Sequence, residues 1–128
     1  MNLKKEPELF GAGPVLPVPD ISATVDYYCD VLGFDRDFVM GDPPSHGSVT
    51  RCRVGIQFTS APSGFQPSDY PGWNYFFLDD IDGLYAEYRE KGVVFTREIK
   101  SHGHGMREFE VRDCNGYRLR FGQYLQGA

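Results

Sequence analysis

The sequence predicts an α+β fold made of two tandem β-α-β-β-β modules within a single domain. Three observations lead there. A capped helical pattern, Asp20-Ile-Ser-Ala-Thr-Val-Asp-Tyr-Tyr-Cys-Asp-Val-Leu-Gly33, recurs about sixty residues later as Asp80-Ile-Asp-Gly-Leu-Tyr-Ala-Glu-Tyr-Arg-Glu-Lys-Gly92. Strand-length apolar segments flank both copies in the same order. A stretch rich in proline and glycine, from Ala61 to Gly72, separates the two halves. At 128 residues the chain can bury one proper core but not two comfortable ones. Residues 1–128 are therefore read as one domain, with modules at about 11–60 and 73–123 and a linker at 61–72.

Residues 1 to about 10 are a polar lead-in without a usable pattern. Gly13 to Val18 reads as a strand, with Pro14, Pro17 and Pro19 placing part of it at an edge. Asp20 then precedes an apolar stripe of Ile21, Val25, Tyr28, Cys29 and Leu32, the spacing of a helix lying on a sheet. The carboxylate can accept from the unpaired amides of the first turn, and Gly33 suits a left-handed stop. Phe34 to Met40 alternates as a strand, and Gly41 to His46 is a loop. Gly47 to Arg51 and Val54 to Ser60 form a hairpin turning near Cys52 and Arg53. In the second module the order repeats: strand Trp73 to Leu78, helix Ile81 to Lys91, and a strand around Val94 to Thr96. After the loop Ser101-His-Gly-His-Gly105 comes a last hairpin, Met106 to Arg112 and Arg118 to Gln123, with Asn115-Gly116 in its turn.

Strand residues alternate between faces, so parity separates core from cleft. Leu16, Val18, Ile56, Phe58, Phe76, Leu78, Phe109, Val111, Leu119 and Phe121 make one set, apolar throughout, as expected beneath helices. Gln57, Thr59, Trp73, Tyr75, Phe77, Glu108, Glu110, Arg118 and Arg120 make the other. Aromatic and charged groups together suit a partly solvated groove, because three aromatic residues in one row are costly to leave in water.

Composition narrows the partners. The net charge of −5 and the interleaving of arginines with carboxylates argue against nucleic acid. Neither a signal peptide nor a membrane span is evident at the start of the chain. Three cysteines, an odd number without Cys-x-x-Cys spacing, fit a reduced compartment. The expectation is a cytoplasmic protein that binds neither nucleic acid nor membrane.

Pro14-Val-Leu-Pro-Val-Pro-Asp-Ile21, Tyr27-Tyr28, Leu32-Gly-Phe34 and Asp113-Cys-Asn-Gly-Tyr-Arg-Leu-Arg-Phe121 resemble the glyoxalase/bleomycin-resistance/extradiol-dioxygenase superfamily, the vicinal oxygen chelate fold. The resemblance implies paired modules whose mixed sheet curls into a cleft, and a homodimer. It also implies four metal-ligand positions, which fall here at Gly13, Gln57, Trp73 and Arg120. Glycine and tryptophan offer a metal no side-chain donor, and a guanidinium would repel one. His102 and His104 stand two apart but have no evident third ligand in the sequence, so a polar loop over the cleft mouth is expected there.

The function that follows is that of a metal-free small-molecule-binding protein without a cofactor, similar to bleomycin-resistance members that sequester an antibiotic-like ligand. Trp73, Tyr75 and Phe77 would stack on planar rings, Glu108 and Glu110 would meet cationic groups, and Gln57, Thr59 and Arg120 would complete the ligand-binding set. No catalytic residue is assigned. The alternative is a lyase, isomerase or dioxygenase using Glu108 or Glu110 as a base raised by burial, with Arg120 on a developing oxyanion. A groove filled by its own Trp73 and the His102 loop would instead mark a dimerising scaffold.

Overall fold

The computed structural model describes residues 6–126. The first module runs β1 (Val15–Val18), α1 (Ile21–Asp30), β2 (Asp35–Met40), β3 (His46–Arg51) and β4 (Val54–Ser60). In the second come β5 (Asn74–Phe77), α2 (Ile81–Glu90), β6 (Val94–Ser101), β7 (Met106–Arg112) and β8 (Arg118–Tyr124). Each module forms its own four-stranded sheet, in the order β1-β4-β3-β2 and β5-β8-β7-β6. The β1–β4 and β5–β8 pairs are parallel and the remaining pairs antiparallel, so both sheets are mixed.

The duplicated caps work as their sequence implies. Asp20 Oδ1 accepts from the Ala23 amide at 2.9 Å, and Asp80 Oδ1 accepts from the Gly83 amide at 3.0 Å. Gly33 and Gly92 follow the helices at φ +76° and +73°, a region where a side chain would be strained. Among the described residues no helix is long and apolar enough to cross a membrane.

The parity reading of the core holds. Val18, Ile56, Phe58, Val111 and Leu119 are fully buried, and Leu16, Phe76, Phe109 and Phe121 nearly so. Leu78 is half-buried and packs against the rim of this cluster. Strand β6 runs five residues further than expected, to Ser101. Its Arg97, Glu98 and Lys100 break apolar alternation because β6 is a sheet edge, where charged side chains discourage pairing with another chain. The linker also holds a turn of 3-10 helix, Pro67–Asp69, whose Pro67 is buried.

Two sets of polar contacts, buried or partly buried, join the modules. The Tyr28 hydroxyl on α1 donates to Asp113 Oδ2 at 2.6 Å, while the amides of Asn115 and Tyr117 donate to Asp113 Oδ1. Tyr117 in turn donates to the carbonyl of Pro17 on β1. On the other side Tyr88 of α2 and Arg51 both donate to the carbonyl of Leu32, and Arg51 grips Glu87 with two nitrogens. Tyr28 and Tyr88, equivalent in the duplication, thus each reach into the opposite module.

Tyr28→Phe leaves the ring in place but strands a carboxylate oxygen of buried Asp113. An unmet buried acceptor costs roughly 1–3 kcal/mol. Urea denaturation at neutral pH should show a loss of that size with an unchanged slope.

Candidate functional site

Six of the predicted site residues come together on the outer face of the second sheet. Glu110 and Arg120 are ladder partners across β7 and β8. Arg120 Nε and Nη2 donate to Glu110 Oε2 at 3.0 and 2.7 Å, and the Thr96 hydroxyl donates to Oε1 at 2.8 Å. Trp73 lies over the guanidinium, whose carbon is 4.1 Å from the ring centroid. Arg118 holds the segment before Trp73 by donating to the carbonyls of Pro71 and Gly72.

The Tyr75 hydroxyl crosses β8 to donate to Glu108 Oε2 at 2.6 Å. That crossing requires Gly122. A methyl on Gly122 would sit 1.9 Å from the Tyr75 oxygen, so any side chain there would push the ring away. Burial, and then the bond to Glu108, hold the Tyr75 phenol well above its ordinary pKa, so it stays a proton donor. Phe77 packs on Tyr75 and stacks nearly parallel on Tyr124 at 5.6 Å.

Gln57 and Thr59 stand apart. They lie on β4 of the first sheet, and among the described residues no side-chain hydrogen bond, ion pair or aromatic contact joins them to the second-sheet group. The predicted face is also drier than expected: Glu108, Glu110 and Arg120 are 6%, 2% and 8% exposed. Trp73 and Tyr75 account for the difference, because they lie across the strands rather than standing out from them. Trp73 itself remains 46% exposed and Phe77 60%.

The burial needed for a catalytic base does not produce one at Glu110. Burial alone would raise its pKa, but the hydrogen bonds from Thr96 and Arg120 outweigh it and hold the carboxyl below its ordinary value. Glu110 is therefore an ionised partner of Arg120. Among the described residues Glu108 has no arginine partner. Its neighbours are Tyr75 and two imidazoles: His102 Nε2 is 3.5 Å and His104 Nε2 4.0 Å from Oε1. This corrects the sequence reading, which found no third group near the histidines. The separation of Glu108 from His104 in sequence hides that the β6–β7 turn folds back over β7.

Three of the four positions that the resemblance assigns to metal ligands, Gly13, Trp73 and Arg120, do not suit a divalent cation here. A side chain at Gly13 would start with its Cβ 2.9 Å from the Gly55 carbonyl oxygen, so the backbone itself excludes a ligand there. Trp73 has no donor to offer, and the Arg120 charge is spent on Glu110.

Among the described residues, two clefts between the modules are lined by predicted site residues. One, of about 500 Å³, is lined by Gly13, Pro14, Val54, Asn74, Tyr75 and Phe77. The other, of about 380 Å³, lies between the β3–β4 turn and α2, and Phe77 is the only predicted site residue that lines it. Asn74 Nδ2 is buried without a hydrogen-bond partner, a feature that the sequence did not signal.

Arg120→Met should cost about 3–5 kcal/mol at pH 7, because it leaves a buried carboxylate unpaired. The gap should narrow on acidification. Glu110 of the parent has a depressed pKa, so its stabilisation is present above the ordinary glutamate value of about 4.3 and is lost as pH falls through the lower folded value. In the variant the unpaired carboxyl instead gains by protonation. Thermal unfolding of both proteins at pH 7 and below pH 4 checks this.

The model of the Glyoxalase/Bleomycin resistance protein/Dioxygenase superfamily matches residues 12–121. No curated protein sequence matches the chain. Among solved structures, TnmS3, an antibiotic binding protein from Streptomyces sp. CB03234, is 20% identical with a TM-score of 0.74, over 91% of this chain and 97% of that one. TioX from Micromonospora sp. ML1 is 19% identical with a TM-score of 0.73, over 90% and 100% of the two chains. A glyoxalase/bleomycin resistance protein/dioxygenase from Alicyclobacillus acidocaldarius is 15% identical with a TM-score of 0.73, over 95% of each. At these identities the likeness is one of fold. Joined to a sequence match that spans both modules, it means that the chain belongs to the glyoxalase/bleomycin resistance protein/dioxygenase superfamily.

Proposed function

We propose that this protein binds a small aromatic, antibiotic-like molecule without altering it, and that it does so without the metal position usual in its family. The observation that carries the reading is the fate of the four ligand positions. Gly13 has no room for a side chain, and Arg120 is committed to Glu110 beneath Trp73. Around them stand exposed aromatic surfaces of the kind that stack on planar rings, Trp73 and Phe77 foremost. Tyr75 and Phe77 also line the cleft of about 500 Å³, a size within the range of small-molecule sites. The ion pair removes an objection to a cationic ligand, since Glu110 neutralises Arg120 where the two meet. Gln57 and Thr59 enter this reading only as polar groups from the first module.

The reading includes a homodimer in the cytoplasm, as the family resemblance and the cysteine usage imply. TnmS3, an antibiotic binding protein of the same fold, lends support to the ligand class. One observation favours a second reading, that of a dimerising scaffold. Trp73 and the His102 turn already cover part of the charged face.

Bleomycin and a panel of polycyclic aromatic antibiotics should be titrated while following the emission of Trp73, the one tryptophan of the chain. Saturable quenching is expected, with the ligand recovered chemically unchanged. By calorimetry Trp73→Ala should weaken binding roughly tenfold, the worth of one good aromatic stack. A chemically altered ligand would establish the enzyme reading. Absence of binding across the panel, together with a stable dimer in sedimentation, would establish the scaffold.

A further inference from the structure

We propose that His102, His104 and Glu108 form a binding site for a divalent first-row transition-metal ion, away from the positions where the family carries its metal. Each residue offers one donor atom, and the three atoms lie within 4.8 Å of one another. The two imidazole rings are stacked 5.2 Å apart and only 5° from parallel, and their Nε2 atoms lie 3.5 and 4.0 Å from Glu108 Oε1. Zinc bonds of about 2.0–2.2 Å in tetrahedral array place donor atoms roughly 3.3–3.5 Å apart. The 3.5 Å separation from His102 is already close to that figure, the 4.0 Å separation from His104 needs a few tenths of an ångström, and the two imidazole donors, within 4.8 Å of each other, draw together as the rings turn toward one ion.

The carboxylate is prepared for the task. Glu108 is 6% exposed, and its Oε2 is fixed by the Tyr75 hydroxyl. Among the described residues its Oε1 accepts no hydrogen bond, and the ion-pairing groups within 4.0 Å of it are the two imidazoles. Lys100, its ladder partner on β6, makes no ion pair with it. A positioned outer group behind a ligand is what metal sites commonly use to orient the donor, and Tyr75 occupies that place. His104 is more than half exposed on the turn, so an ion would be reached from solvent and would keep open positions. Two imidazoles and one carboxylate suit Zn²⁺, Ni²⁺, Co²⁺ or Cu²⁺ better than Mg²⁺ or Ca²⁺.

This inference stands independently of the ligand reading, because it is tested with metal ions alone. Untagged protein, stripped with chelator, should be titrated with Zn²⁺ and Ni²⁺ by calorimetry, and with Co²⁺ by visible absorption. One ion per chain is expected, with Mg²⁺ inert at the same concentrations. His102→Ala, His104→Ala and Glu108→Gln should each weaken binding at least tenfold, while His46→Ala and Cys52→Ser leave it unchanged. Circular dichroism confirms that the variants are folded, and exposed His104 provides a test even if Glu108→Gln is not. Binding that survives His102→Ala and His104→Ala, or moves with Cys52→Ser, overturns the site. So does absence of any binding by Zn²⁺, Ni²⁺ and Co²⁺ up to millimolar ion.

Discussion

A buried carboxylate holds the two modules together. Asp113 lies in the last hairpin turn, yet the hydroxyl that binds its Oδ2 comes from the first helix. Its Oδ1 meanwhile closes its own turn through two amides. One side chain therefore shapes the β7–β8 hairpin and docks it against α1. Burial pushes the Asp113 carboxyl above its ordinary pKa even though the Tyr28 hydroxyl and neighbouring amides oppose this, a measure of how far it is withdrawn from water. The Leu32 carbonyl, one turn beyond Tyr28, does corresponding work by receiving Tyr88 and Arg51. The cleft in which Tyr75 and Phe77 face Val54 of the first module depends on the two modules staying joined.

Within the site, charge is handled in two ways on one strand. Glu110 is saturated: Arg120 and Thr96 fix it as an ionised structural partner in spite of its burial. Glu108, two residues away on the same face, is held by a neutral phenol on one oxygen and approached by imidazoles on the other. The two carboxylates thus have different chemistry although the sequence presents them as equivalent. Position along β7 decides it: Glu110 faces Arg120 across the ladder and Glu108 faces Gly122.

The duplication and the caps made the fold legible from the sequence, and alternation in β7 and β8 separated core from outer face correctly. Phe109, Val111, Leu119 and Phe121 all went inward, and Glu108, Glu110 and Arg120 to the other side. What parity could not reveal was how side chains lie once they leave the strand. Trp73 folds down onto Arg120, and Tyr75 crosses a neighbouring strand, so a face read as partly solvated is largely covered. The β6 strand was underestimated because its charges mask the period of an edge. The histidine pair was visible, but its carboxylate neighbour depends on a turn geometry that spacing does not encode.

Strands β7 and β8 carry core and site on alternate residues, and that arrangement limits how the site can change through descent. Gain or loss of one residue inside β8 would turn Arg120 beneath the helix and bring Leu119 or Phe121 out to Trp73. Core and site would then fail at once. New binding properties on this face must therefore arise by replacing one side chain with another at fixed chain length. Variation in length is confined to places such as the β6–β7 turn, where the two histidines stand.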